Sequence, residues 1–213
     1  MDFRNAKELL KVCQEQGLSI SAVMLQRELT EGEQDPEETD RKMDRVLEIM
    51  KSAASTPIHT PVKSMGGLIG GEAKKISDHK DTGKGLCGDL LERAVIYAMA
   101  TLETNASMGV IVASPTAGSA GIVPGLLLAL QETYDLSDEQ IKQGLYNASA
   151  IGYLAMRNAT VAGAVGGCQA EVGIASAMAA SATVELMGGS PEQSLAAAST
   201  VLMNMLGLVC DPV

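Results

Sequence analysis

The stretch GAVGGCQAEVG, residues 163–173, sets one thiol among four glycines, with Gln169 and Glu171 directly after it. A cysteine in an apolar helix ordinarily packs as a small hydrophobe. Around Cys168 the glycines remove side-chain bulk from one side, where a large inorganic group could approach. A second thiol, Cys210, stands in LGLVCDPV beside Asp211 and Pro212. Cysteine close before proline recurs in iron–sulfur ligation, although here Asp211 intervenes. Two further runs suit a small anionic ligand. KSMGGLIGGE, residues 63–72, carries paired glycines that let the backbone approach a ligand and aim N–H groups at it. No GK[ST] follows, so it is not a phosphate-binding Walker loop, and no strand precedes it as a dinucleotide fingerprint requires. NASMGVIVASPTAGSAGIVPG, residues 105–125, offers Asn105, Ser114, Thr116 and Ser119 as polar groups, Gly118 and Gly121 as flexible points, and Pro115 and Pro124 as fixed ones. Such a turn, placed before an apolar helix, can hold a carboxylate on backbone N–H groups.

These runs need a scaffold, and the composition points to helices. The 213 residues are 46% apolar, with one Phe, four Tyr and no Trp. That length supports one substantial core, built from Ala, Leu, Met and Gly, whose small side chains let helices approach closely. Residues 1–55 are charged and amphipathic and read as an N-terminal helical arm. In DRKMDRVLEIMKSA, the residues Met43, Val46, Leu47 and Met50 fall on one face. The composition shifts at Ser55, where prolines and paired glycines predict a loop-rich segment. A helix over 88–104 is expected to turn Leu90, Leu91, Ala94, Val95 and Met99 inward. VPGLLLALQETY reads as a buried helix, and 169–187 as another. Ser137 with Gln140, and Ser190 with Gln193, have capping-box spacing. No strand-period alternation persists, so the expected fold is all-α, a packed helical bundle with glycine-rich loops, divided into 1–55 and 56–213.

Several classes are excluded. A net charge of −10 without a basic stripe argues against nucleic acid. The uncharged stretch 104–131 is long enough to span a bilayer but is broken by two prolines and four glycines and lacks flanking Lys or Arg clusters. A buried region lining a cavity is the expectation. The charged N-terminus MDFRNAKELLKV is not a signal peptide, and the four cysteines lack CxxC spacing, so reduced thiols in the cytoplasm are expected. Cys13 and Cys87 match no ligand position, and Cys87, near the glycine-rich loops, reads as a structural, buried thiol. His59 and His79 are isolated.

KSMGGLIGGEAKK, NASMGVIVASPTAGSAGIVPG, NATVAGAVGGCQAEVG and LMNMLGLVCDPV, in this order and covering about residues 50–213, closely resemble the α subunit of iron–sulfur-dependent L-serine dehydratase. The resemblance implies a lyase that deaminates L-serine to pyruvate and ammonia, with a 4Fe–4S cluster on three cysteines and one iron left open as a Lewis acid for the hydroxyl group. Two ligands carry over, to Cys168 and Cys210. The third would follow CDPV, beyond Val213, so the resemblance implies a C-terminally truncated chain, without a firmly held cluster and inactive alone. Ser64, Met65, Gly66, Asn105, Ser114, Thr116 and Gly118 are the implied substrate-pocket candidates, and Lys63, beside the glycine loop, is the candidate base. The family often divides into two subunits, so a β subunit is the implied partner, within an oligomer. Open alternatives are an L-cysteine desulfidase-like lyase and a non-catalytic, cluster-free helical subunit. A pyridoxal-phosphate enzyme would need an α/β fold that the sequence does not suggest.

Overall fold

The computed structural model describes residues 2–32 and 34–209. Among these residues there are ten helices and no strand, so the fold is all-α. No helix among them is long and apolar enough to cross a membrane. The chain forms two compact units. One comprises residues up to Asp44 together with those from Asp138 onward, and the other is Arg45–Ser137. The 1–55 segment is therefore shared, with 1–44 in the first unit and 45–55 in the second.

The first unit is built on α9 (Cys168–Leu186), flanked by α7 (Asp138–Asn158) and α10 (Pro191–Met205). Alanine dominates α9, and Ala175, Ala177, Ala179 and Ala182 are all buried. Alanine combines high helix propensity with little bulk, so both neighbours pack close. On α10 the expected cap is present. The Ser190 hydroxyl accepts from the Gln193 N–H, and the Gln193 side chain accepts from the Ser190 N–H at 2.8 Å. Helices α1 (Ala6–Gln16) and α2 (Ile20–Glu31) close this unit through Phe3, Leu9, Cys13, Ile20, Val23 and Met24, packed with Tyr146 and Ala150 of α7. Cys13 is thus a core thiol, and burial pushes it up to about 11.

Two polar clusters fasten the same unit. The ammonium of Lys142 on α7 is buried, with Asp40 at 2.6 Å, Glu139 at 2.7 Å and Asp44 at 2.8 Å. Asp40 and Asp44 belong to α3 (Pro36–His59), so one buried cation clamps its first turns to α7. Burial alone would lower Lys142; the three carboxylates outweigh it and raise it. The second cluster centres on Asp2, which accepts from Arg27 at 3.2 Å, Tyr153 at 3.0 Å and Arg157 at 3.1 Å, with the Arg27 guanidinium 4.0 Å above the Tyr153 ring. Partial burial raises the Asp2 carboxyl, but these donors prevail and lower it to about 2. A depressed carboxyl stabilises the fold above its unfolded value, about 3.9, and loses that contribution as pH falls through its folded value. Asp2→Asn is therefore expected to cost less than about 1 kcal/mol at neutral pH, the side chain being partly exposed. The gap in thermal midpoint between the two proteins should hold down to about pH 4 and close toward pH 2; a gap independent of pH would refute the assignment.

In the second unit α5 (Asp89–Ala106) is the axis, packed on α4 (Glu72–Asp81) and α6 (Ile122–Tyr134). The α5–α6 contact is made by backbone. A Cβ on Gly121 would lie 2.5 Å from the Ala98 carbonyl oxygen, and one on Gly125 would lie 2.8 Å from that of Ala94. This close fit changes which face of α5 is inside. The buried residues are Ile96, Ala100, Thr101 and Glu103, whereas Leu91 and Val95 are exposed and Leu90, Ala94 and Met99 are half-buried. The apolar stripe read from the sequence is corrected accordingly, because α6 rests on alanine backbone rather than on leucine side chains. Met43 and Val46 are half-buried and Leu47 and Met50 buried, on the expected face of α3.

Helix α3 also continues past Ser55 through Pro57 to His59. Proline lacks the N–H that would bond to the carbonyl four residues earlier, here Ala53. That carbonyl instead accepts from the Thr104 hydroxyl of α5 at 2.9 Å. A long-range contact thus removes the penalty that would otherwise end the helix.

Candidate functional site

The residues expected to bind substrate lie in the Arg45–Ser137 unit, and its last turn of α5 draws them together. Residues 64–69 form a closed loop. The Ser64 N–H donates to the Ile69 carbonyl at 2.9 Å, the Ile69 N–H to the Ser64 hydroxyl at 3.2 Å, and the Gly67 N–H to the Ser64 carbonyl at 2.9 Å. One anchor fixes the front of the loop: the Met65 N–H donates to the Ala106 carbonyl of α5 at 3.2 Å. At its back Gly70, with φ +145°, runs so close to residue 62 that a Cβ would lie 2.1 Å from the Val62 carbonyl oxygen. Only glycine fits there.

The second motif joins at the same place. Asn105, in the last turn of α5, donates from Nδ2 to the Ala117 carbonyl at 3.1 Å. The turn 114–119 is closed from within. Ser114 N–H donates to the Thr116 carbonyl at 3.3 Å, the Ser119 hydroxyl to the Ser114 carbonyl at 3.3 Å, and the Ser119 and Thr116 hydroxyls lie 3.2 Å apart. The Ser114–Pro115 peptide is cis. Ser114 is 5% exposed, and its hydroxyl is buried with no partner among the described residues. Buried hydroxyls are normally satisfied; those of Ser181 and Ser194, in the other unit, also have no partner among the described residues, and that of Ser114 is the one in this unit. At the start of α6 the Ala120 and Ile122 N–H groups bond to the Ala117 and Ser119 carbonyls, so this helix entrance is partly occupied by its own turn.

Ser64, Asn105 and Thr116 are half-buried, whereas Gly66 and Gly118 are exposed. Met65 is 80% exposed, and Leu68 and Ile69 beside it also face solvent. Lys63 is exposed at the start of the loop.

Sequence reasoning missed Glu103. Although charged, it is only 2% exposed, and its two carboxylate oxygens accept from the Gly71 N–H at 3.0 Å and the Ala73 N–H at 2.8 Å. Those donors open α4, whose Gly71 has no side chain to cap them. An uncapped helix start after paired glycines was the available signal that an acceptor must come from elsewhere. Glu72 takes the Gly70 N–H at 2.6 Å, and that bond lowers its carboxyl from the ordinary value.

The cysteine motif belongs to the other unit. Cys168 opens α9, half-buried, directly after Gly167 at φ +75°. A thiolate in this position meets the positive end of the helix dipole. A Cβ on Gly167 would meet nothing within 4 Å, while the short turn α8 (Gly163–Gly166) passes so near that a Cβ on Gly163 would lie 2.7 Å from the Glu171 carboxylate. Gln169, next to the thiol, accepts from the Gly207 N–H at 2.8 Å. The backbone three residues before Cys210 in sequence is thereby tied to the residue after Cys168. Cys210 itself lies outside the described residues. Cys87, expected to be buried, is exposed; it precedes α5 in a loop where its N–H donates to Glu92 at 3.3 Å.

Comparison with known proteins agrees with these motifs. The family model for the serine dehydratase alpha chain matches residues 15–213. The probable L-serine dehydratase alpha chain of Bacillus subtilis is 48% identical over 211 residues, 99% of this chain and 70% of its own length. The L-serine dehydratase alpha chain of Peptoniphilus asaccharolyticus is 43% identical, covering 99% and 72%. The L-serine dehydratase of Streptomyces coelicolor is 38% identical over 217 residues, 99% of this chain and 46% of that protein. With its glycine loop, its serine–threonine turn and its cysteine-bearing helix all inside the matched span, the chain belongs to the serine dehydratase alpha chain family.

Proposed function

We propose that this chain is the catalytic subunit of a lyase that deaminates L-serine to pyruvate and ammonia. The observation that carries the reading is the meeting of two separate motifs, the glycine loop around Ser64 and the run that holds Asn105 and Ser114, at one end of α5. Ser64, Met65, Gly66, Asn105, Ser114, Thr116 and Gly118 would frame the amino acid. The buried Ser114 hydroxyl supplies a hydrogen bond to a polar substrate group, with low solvent competition. The exposed backbone at Gly66 and Gly118 lets N–H groups reach the carboxylate without side-chain obstruction. Lys63, adjoining Ser64, is the proposed base for the α-proton.

The described part of the cysteine motif fits an iron–sulfur group: a half-buried thiol at a helix N-terminus, directly after a glycine, with the segment leading toward the second thiol tied beside it. Cys168 and Cys210 would hold it, together with the third cysteine that the resemblance implies. When bound, a 4Fe–4S cluster with one open iron supplies the Lewis acid that makes the β-hydroxyl a leaving group. Two relatives are named alpha chains, which supports a β subunit as the partner.

The test is anaerobic co-expression of the chain with a serine dehydratase β subunit, iron–sulfide reconstitution, and turnover of L-serine and L-cysteine compared. Pyruvate from serine at a kcat/KM at least about tenfold above that for cysteine is expected. The reverse preference would favour the desulfidase reading, and turnover of neither would favour a non-catalytic subunit.

A further inference from the structure

The role of Glu103 extends beyond helix capping. Four hydrogen bonds tie the last turn of α5 to these loops: Glu103 takes the Gly71 and Ala73 N–H groups behind the glycine loop, Ala106 takes the Met65 N–H at its front, and Asn105 holds the Ala117 carbonyl. The loop between Met65 and Gly71 is thus suspended between two points on one helix. Its side chains contribute little anchorage, since Met65, Leu68 and Ile69 face solvent. Within the loop the bonds run from Ser64 to Gly67 and Ile69 and fix its shape, but they do not fix its position on the helix. Position depends on the two attachments, and the Glu103 one is buried, charged and bidentate. Charge-assisted bonds of that kind are among the strongest available to a backbone.

We infer that Glu103 is a positioning residue: its carboxylate sets where the Ser64–Gly66 segment stands relative to Asn105 and Ser114, and thereby the affinity for substrate. This rests on the reading that these residues bind the amino acid. A purely structural cap would affect folding stability and leave substrate affinity alone.

The experiment uses Glu103→Gln and Glu103→Asp in the reconstituted two-subunit enzyme. Glutamine keeps the volume but offers one acceptor oxygen to two N–H donors. Aspartate keeps both oxygens but is one methylene short. In Glu103→Gln, amide exchange across residues 64–73 should accelerate about tenfold and KM for L-serine should rise about tenfold, with kcat within about threefold of the parent. Glu103→Asp should fall between the parent and the glutamine variant in both readouts. Unchanged exchange in the loop overturns the inference, as does acceleration spread evenly over α5 and α6, which marks a stability role only. Ser64→Ala separates the two claims. If it leaves KM unchanged, the loop does not bind substrate and the reading itself fails. If it raises KM while Glu103→Gln does not, the inference alone is overturned.

Discussion

Cys168→Ser in the reconstituted enzyme is expected to abolish L-serine turnover, by at least about a thousandfold, and to lower iron and acid-labile sulfide per chain in parallel. A Lewis acid on the leaving hydroxyl contributes several kcal/mol to the transition state, and each 1.36 kcal/mol is about tenfold in rate. Serine is nearly isosteric with cysteine and is well tolerated at a helix start, so α9 should form unchanged and the helical circular dichroism should match the parent. The neighbouring Gln169–Gly207 bond gives a second check. It involves no sulfur, so protection of the Gly207 amide should persist in the variant. Full iron content with full activity in Cys168→Ser would remove this residue from the ligand set.

Gly70→Ala is expected to lower kcat/KM for L-serine about a hundredfold while the helices remain folded. The added Cβ would lie 2.1 Å from the Val62 carbonyl oxygen and 2.9 Å from the Lys63 Cα, and φ +145° is a conformation that side chains rarely adopt. Both neighbours are backbone, so no rotamer change can relieve the overlap. The chain must move, and the loop is the part free to do so. Displacing a substrate-positioning segment by about an ångström can cost about a hundredfold in rate. Gly83→Ala is the control. Gly83 has φ +70° but nothing within 4 Å of its added Cβ, so it isolates the conformational cost, about 1 kcal/mol of stability, and should leave turnover unchanged. Equal activity losses in the two variants would show that overlap with Val62 is not the cause.

The helical class was legible because the signals are local: alanine runs, the capping spacing of Ser190 and Gln193, and the absence of alternating apolar residues. The candidate site was legible as motifs. What their spacing could not reveal was that Ser64, Asn105 and Ser114 share the end of one helix, since the bonds joining them span long sequence separations. Three failures have the same origin. Pro57 reads as a helix breaker unless Thr104 is known to accept the task of satisfying Ala53. Leu91 and Val95 read as core unless α6 is known to contact alanine backbone. Glu103 reads as a solvated charge unless the start of α4 is known to lie beside it. In each case a tertiary partner overrides the local preference, as it commonly does.

The backbone contact between α5 and α6 limits how this half of the molecule can diverge. Where leucines interdigitate, a substitution can be absorbed when a neighbour changes rotamer or shrinks. At Gly121 the nearest opposing atom is the Ala98 carbonyl oxygen and at Gly125 it is that of Ala94, main-chain atoms that no replacement can trim. Any larger residue must push α6 outward as a rigid body, and the serine–threonine turn, joined directly to its first residue, travels with it. On the proposed reading, drift at these two glycines, three and seven residues after Gly118, would therefore register as altered substrate binding.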